Sequence, residues 1–173
     1  MEYLKNDDVA NLINNSATYR KSAKTALRVP SKNELNTDMP TYVKDGDTVR
    51  QESTSTITED KVIARNLLPI GKNSQGVEIY NEWPISKEVA IKNYGQEVVD
   101  TLTEQFSEHK KIQSLKAITL TPEIMSLLGV EGDTLDITVS WSDIPMKAKI
   151  GDSITNGGYS ISKHDMQDYE VIE

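Results

Sequence analysis

The most regular pattern of apolar and polar positions lies in the last third of the chain, at residues 135–141. Every second residue there is apolar, which is typical of a strand with one buried face. The apolar members of this alternation are Leu135, Ile137, Val139 and Trp141. Shorter runs of similar character predict further strands at residues 116–120, 146–150, 159–161 and 169–172. We therefore expect this part of the chain to form a small, mostly antiparallel sheet.

Helix start and stop residues accompany these strands. Thr121 has the character of an N-cap, Pro122 favours the first helical position, and Gly129 favours a helix end. Near the start of the chain, Asp7 or Asp8 is expected to cap another short helix. Its apolar face would consist of Val9, Leu12 and Ile13.

The middle of the chain contains both the spacing of apolar residues typical of strands and that typical of helices. Residues 61–65 and 77–80 are predicted to be strands, and Ser86 is predicted to cap a helix that ends near Gly95. A longer helix is expected at residues 96–111 because its apolar residues recur at helical spacing. These residues are Val98, Val99, Leu102 and Phe106.

Residues 20–60 show no sustained period and are rich in polar and turn residues. They are interpreted as a loop, an extended arm or a docking segment. The chain is accordingly divided into an N-terminal helix and irregular arm at 1–60, a first β/α module at 61–111 and a β-rich module at 112–173. The expected fold class is α+β, with small antiparallel sheets and short helices.

Two stretches of the chain repeat one pattern of an aromatic residue, a small residue, isoleucine, serine and lysine, with a tyrosine after the next helical turn. They are Trp83-Pro-Ile-Ser-Lys87 followed by Tyr94, and Tyr159-Ser-Ile-Ser-Lys163 followed by Tyr169. The pattern is read as a strand, a serine N-cap and a tyrosine that packs the helix against the sheet. Two interpretations stay open: a duplicated module, or a local structural echo.

The second stretch belongs to a longer motif. It contains Gly151-Asp152, then Gly158-Tyr159, then Asp168-Tyr-Glu170. This order resembles a small β-rich module of bacteriophage and prophage accessory proteins, a group without an assigned activity. The chain departs from the group at Ser153, where an aromatic residue is usual, and at Asp168, where threonine is usual. The resemblance implies a phage setting and transfers no catalytic residue.

Charge and composition exclude several classes of function. The chain carries 27 acidic and 19 basic residues, for a formal net charge of −8. We expect no nucleic-acid binding, which needs clustered basic residues. The negative charge favours either solubility or a basic protein partner. Cysteine is absent, the first residues lack the features of an export signal, and no apolar run is long enough to span a membrane. The bacterial host cytoplasm is the expected location, with the virion as the alternative.

The sequence offers no pattern for catalysis. Its two histidines, His109 and His164, are far apart along the chain and belong to no ligand motif, so neither a metal nor a cofactor is expected. The glycine-containing stretch at 71–76 has the wrong order for a phosphate-binding loop. We therefore expect a protein that is not an enzyme.

The candidate binding residues are aromatic and basic side chains, because these concentrate binding energy in protein interfaces. They are Trp83, Lys87, Tyr94, Tyr159, Lys163, Tyr169, Tyr19 and Arg20. The leading hypothesis is a phage or prophage protein that binds and modulates a host or viral protein, for example as a defence inhibitor. The alternatives are a virion component, with homo-oligomer or virion assembly, and a binder or sponge for a small ligand such as a nucleotide.

Overall fold

The computed structural model describes residues 1–172, and its short helices and antiparallel strands confirm the expected α+β class. Up to residue 101 the elements are α1 (Asp7–Asn14), β1 (Thr18–Lys21), β2 (Thr25–Arg28), β3 (Asp38–Asp45), β4 (Thr48–Thr56), β5 (Lys61–Asn66), β6 (Gly71–Lys72), β7 (Glu78–Ile79), β8 (Glu82–Ser86), α2 (Lys87–Tyr94) and α3 (Gln96–Thr101). The later elements are β9 (Ser107–His109), β10 (Ser114–Thr119), α4 (Pro122–Leu127), β11 (Thr134–Val139), β12 (Ser142–Lys149), β13 (Ser153–Thr155), β14 (Ser160–Ile161) and β15 (Tyr169–Val171). Short 3₁₀ turns occupy Tyr3–Lys5, Lys32–Glu34 and Asp165–Asp168.

The chain forms two compact units, of which one is discontinuous. Met1–Arg20 and the chain from Ser114 onward make up what we call the terminal unit, and Lys21–Gln113 make up the central unit. The sequence-based division after residue 111 lies close to the observed one, whereas residues 21–60 belong with the central unit rather than with an N-terminal arm. The reason is strand pairing between distant segments, which local sequence does not encode.

The terminal unit contains a five-stranded sheet with the order β14-β13-β10-β1-β15 and a separate hairpin of β11 and β12. Its core combines both parts of the discontinuous unit. The fully or nearly buried members are Tyr3, Val9, Ile13, Leu120, Ile124, Met125, Leu128, Leu135, Ile137, Val139, Met146, Ala148 and Ile154. The helix and the 3₁₀ turn near the start of the chain therefore supply part of a core that the last third of the chain completes.

The helix signals of this unit are largely confirmed. The Thr121 hydroxyl accepts a hydrogen bond from the Ile124 amide, Pro122 is the first residue of α4, and Gly129 has the positive φ of 70° that ends it. The N-cap of α1 is a correction, since Asn6 accepts the bond from the Val9 amide in place of either expected aspartate. Asparagine is as good an N-cap as aspartate, and here the helix begins one residue earlier than expected.

The predicted alternation at 135–141 is a strand only as far as Val139. Leu135, Ile137 and Val139 are buried as expected. Because Val139 pairs with Ser142, the two residues between them form the hairpin turn. Trp141 is therefore 40% exposed and does not continue the buried face of the strand.

The central unit is built on a four-stranded antiparallel sheet with the order β8-β5-β2-β9. Helix α2 begins at Ser86, whose hydroxyl accepts a hydrogen bond from the Val89 amide as predicted, and Gly95 follows its last residue. The core between the sheet and the helices contains Leu27, Val62, Ala64, Ala90 and Tyr94, with Trp83, Ile85, Val98, Val99 and Leu102 packed around it. The short strands β6 and β7 pair as a separate ribbon.

The expectation of an irregular segment at 20–60 is wrong. Strands β3 and β4 form a long antiparallel hairpin, and the loop between them consists of Gly46 and Asp47. Gly46 adopts φ 62°, a conformation that favours glycine, and a two-residue Gly-Asp loop between extended segments is a known hairpin signal. Because both faces of the hairpin carry many polar residues, its sequence shows no clear alternation of apolar and polar positions. Backbone pairing between β3 and β4 orders this segment.

The predicted helix at 96–111 is also wrong over most of its length. Helix α3 ends at Thr101, and residues 107–109 form β9, which pairs with β2. The backbone pairing of β9 with the sheet outweighs the local helical spacing of the apolar residues. Val98, Val99 and Leu102 still pack on the core of the central unit. Phe106 instead lies against the guanidinium of Arg65.

The two stretches that share a sequence pattern also share a local topology. Each supplies an edge strand, β8 or β14, which pairs antiparallel with a strand that precedes it in the chain, β5 or β13. That strand in turn pairs antiparallel with an earlier strand, β2 or β10. Ser162 accepts a hydrogen bond from the Asp165 amide, as Ser86 does from Val89. The echo therefore extends from sequence to strand pairing.

Candidate functional site

The central unit carries an open groove of about 390 Å³, which we call the acidic groove. Its charged lining consists of Glu34, Asp38, Arg65, Glu78 and Glu82. Its less polar lining consists of Met39, Pro40, Tyr42, Ile57 and Tyr80. The volume lies within the range of about 300–1,000 Å³ that is usual for ligand sites. Four carboxylates against one guanidinium give the groove its negative character.

Arg65 is held in the groove by a carboxylate and two aromatic rings. Strand pairing places it directly across from Glu82, with which it forms an ion pair. The guanidinium carbon lies 4.2 Å from the centre of the Tyr80 ring and 4.3 Å from that of Phe106. Both distances are within the range of a cation–π contact, and a planar guanidinium suits such stacking.

A second arginine next to the groove is bound in the same way. The two terminal nitrogens of Arg28 donate to the two carboxylate oxygens of Glu34 at 2.5 and 2.7 Å. The Arg28 guanidinium lies 5.1 Å from the centre of the Phe106 ring, so one ring serves both arginines. Glu34 also accepts a hydrogen bond from the Ser31 amide at 2.9 Å. These donors lower the pKa of the Glu34 carboxyl from its ordinary value of 4.5 to about 2.

The ion pair between Arg28 and Glu34 makes the stability of the central unit dependent on acid pH. Because the pKa of Glu34 is lowered by folding, its contribution is fully present above pH 4.5 and is lost as the pH falls toward 2. We expect Glu34→Gln to lower the free energy of unfolding at pH 7 by about 1–2 kcal/mol, a value reduced for partial exposure of the pair. Urea titrations at pH 7, 4 and 2.5 measure this, and the difference between the two chains should fall by more than about half at the lowest pH, which still lies just above the folded-state pKa. A difference that persists unchanged at pH 2.5 contradicts the assignment.

Two carboxylates of the groove have a different environment. Asp38 accepts a hydrogen bond from the Thr56 hydroxyl at 2.7 Å, and Glu78 accepts one from the Tyr80 hydroxyl at 3.0 Å. The bond to Glu78 raises the pKa of the Tyr80 phenol. Within residues 1–172, neither carboxylate forms an ion pair. Both side chains are exposed, so their negative charge faces solvent.

In the central unit, the residues predicted from the sequence lie outside this groove. Tyr94 is buried in the core, and Trp83 is half-buried beside it. The ammonium group of Lys21 lies 5.4 Å from the Trp83 ring and donates to the Thr25 hydroxyl at 2.7 Å. Lys87 is exposed at the first turn of α2. Trp83 and Tyr94 are thus packing residues of the central unit.

In the terminal unit, the structure brings three predicted tyrosines together. Tyr19, Tyr159 and Tyr169 pack against one small cluster on the five-stranded sheet, and all three are half-buried. Arg20 is half-buried at the end of β1, and Lys163 is exposed. The cluster also contains Leu115, Ala117 and Ile161, with Met166 beside it. These tyrosines pack on and stabilise the sheet face.

Sequence reasoning missed the residues of the acidic groove. Arg65 and Glu82 become neighbours only because β5 pairs with β8, and Arg28 meets Phe106 only because β9 pairs with β2. One signal in the sequence could have found this site. Residues 61–65 were predicted to be a strand, so Arg65 could be expected to face an acidic residue on the strand paired with it. Its partner strand was expected at 77–80, whereas β5 pairs with residues 82–86.

Comparisons with known proteins add no assignment. No protein-family model, curated protein sequence or solved structure matches the chain. Within residues 1–172, no group of three or more histidine, cysteine or carboxylate side chains is placed to hold a metal ion. None of the helices in that range has the length and apolar character needed to cross a bilayer.

Proposed function

We propose that the chain is a non-enzymatic protein of phage or prophage origin that binds and modulates another protein, and that the acidic groove is its binding surface. The observation that supports the proposal is the groove itself, in which Arg65 and the Tyr80 ring stack beside solvent-facing carboxylates, with Phe106 packed against the same guanidinium. Rigid aromatic residues with adjacent charged groups are typical of the centres of protein interfaces.

The groove disfavours the nucleotide-binding alternative. A nucleotide would place its phosphates near Glu34, Asp38, Glu78 and Glu82, of which only two are paired with arginines. Repulsion between phosphate and unpaired carboxylate opposes such binding. A protein segment avoids this cost because its side chains can match the charge of the groove.

Site-directed photocrosslinking in living bacteria tests the proposal. A benzophenone amino acid in place of Met39 lies in the groove, and the same residue in place of Lys92 is a control on an exposed position of α2. We expect the probe at position 39 to crosslink one discrete protein. The probe at position 92 should not crosslink that protein. Adducts that are absent, or equal at both positions, contradict a binding role for the groove.

The captured protein is then purified and its affinity is measured directly. We expect Tyr80→Ala to weaken binding about tenfold or more, because aromatic residues at the centre of an interface contribute more than about 1 kcal/mol each. Circular dichroism of the variant controls for folding. An affinity equal to that of the unchanged chain would exclude the groove as the contact surface.

A further inference from the structure

Two arginines of the chain itself are held in or next to the acidic groove. Arg65 is held by a carboxylate and two rings, and Arg28 is held by a carboxylate and one of the same rings. Carboxylate and aromatic ring together recognise a cationic side chain through an ion pair and a cation–π contact. The chemistry of this surface is therefore that of a receptor for guanidinium or ammonium groups.

Two further carboxylates, Asp38 and Glu78, line the groove outside the two arginine pairs. The Glu78 carboxylate accepts a hydrogen bond from the Tyr80 hydroxyl, and the Tyr80 ring is already stacked on Arg65. Lys72 lies across from Glu78 in the pairing of β6 with β7. Within residues 1–172 no basic side chain forms an ion pair with either carboxylate. Glu82 and Glu34 are by contrast neutralised by Arg65 and Arg28. The unbalanced charge of the groove is thus concentrated on Asp38 and Glu78.

The remaining lining residues indicate that the cation is carried by a chain rather than free. Met39 and Pro40 offer apolar surface beside the two carboxylates. The methylene stems of lysine and arginine pack on such surface while their charged ends reach the acids. A small inorganic cation would leave this surface uncovered.

We propose that the acidic groove binds a basic segment of a partner protein, with lysine or arginine side chains placed at Asp38 and Glu78. This inference rests on the proposed function, since it names the chemistry of the partner at the same site. Charge complementarity between the segment and the groove provides the specificity and accelerates the encounter.

A labelled peptide measures the binding directly. The probe is a fluorescein-labelled octapeptide with alternating arginine and lysine residues, and its control carries citrulline and acetyl-lysine at the same positions. We expect anisotropy titrations with the purified chain to show saturable binding of the basic probe alone. Binding should weaken by about tenfold between 50 and 500 mM salt, as exposed charge pairs are screened. Equal binding of the neutral peptide would overturn the inference.

Isosteric variants locate the interaction. The double variant Asp38→Asn with Glu78→Gln removes both charges and keeps an oxygen that accepts from Thr56 and Tyr80. We expect it to bind the basic probe about five- to tenfold more weakly, the sum of two partly exposed ion pairs. The matched control, Glu131→Gln with Asp143→Asn, removes the same charge from two exposed positions of the terminal unit and should change the affinity less than about twofold. Equal losses in both variants would attribute the binding to net charge alone and reject the site.

Two further results distinguish the inference from the proposed function. If the Met39 photocrosslink forms while the basic probe fails to bind, the groove is a protein-binding surface and the basic partner is wrong. If spermidine displaces the probe at concentrations equal to that of the unlabelled peptide, the groove recognises free cations and the commitment to a protein segment is wrong.

Discussion

Replacing Tyr3 with alanine is expected to lower the free energy of unfolding of the terminal unit by about 4 kcal/mol, the range for a large aromatic residue in a core. Tyr3 is 1% exposed, and it packs in the cluster formed by the last third of the chain. Its hydroxyl accepts from the Thr155 amide at 3.1 Å and lies 2.6 Å from the Thr155 carbonyl, to which it donates. Burial raises the pKa of this hydroxyl, so it stays protonated and remains a donor.

The smaller variant Tyr3→Phe separates packing from hydrogen bonding. It keeps the ring and removes the two hydrogen bonds to Thr155, whose amide and carbonyl still bond to Tyr159 and Gly158, so we expect a loss of about 1 kcal/mol. Urea unfolding followed by Trp141 fluorescence in a Trp83→Phe background reports on the terminal unit alone, because the two tryptophans lie in different units. Equal stability of Tyr3→Ala and the unchanged chain would mean that the first residues do not belong to this core.

Replacing Leu27 with alanine is expected to destabilise the central unit by about 3 kcal/mol, which is within the range for a buried leucine. Leu27 is fully buried, and its strand β2 lies between β5 and β9 in the sheet. The removed side chain contacts the core beneath α2, so the cavity cannot close without movement of the sheet. Leu68→Ala is the matched control, because Leu68 is 78% exposed and should change stability by less than about 0.5 kcal/mol.

Hydrogen exchange measured by mass spectrometry locates this loss of stability within the central sheet. Amides of β5, which pair with β2, should exchange faster in Leu27→Ala and at the same rate in Leu68→Ala. A Leu27→Ala chain with unchanged protection of β5 would contradict the placement of Leu27 in this core.

Locally encoded features of the chain are the ones that the sequence predicted well. The start of α4 at Thr121 and Pro122, its end at Gly129, and the cap of α2 at Ser86 depend on groups within a few residues of one another. The strand that begins at Thr134 could be predicted because one of its faces is buried and the other is exposed to solvent. Such features are written in the spacing of neighbouring residues.

The candidate site was beyond the reach of the same reasoning. Each of its defining contacts joins residues that are distant in sequence, such as Arg65 with Glu82 and Arg28 with Phe106. The sequence indicated an acidic protein, with a basic partner as one interpretation of its charge, and it predicted aromatic residues as binding anchors. Sequence reasoning selected Trp83 and Tyr94, which pack in the core of the central unit. It did not select Tyr80 and Phe106, which stack on Arg65 at the groove.

By itself, then, the amino-acid sequence determined the α+β class, the helix caps and the alternating strand of the last third, because these follow from local hydrogen bonding and burial periodicity. The tertiary structure alone decided that residues 1–20 complete the terminal unit, that residues 38–56 pair as a hairpin, and that residues 107–109 join a sheet. The physical reason is the same in each case. Backbone pairing between distant strands contributes more than local propensity, and its partners are selected only when the whole core is assembled.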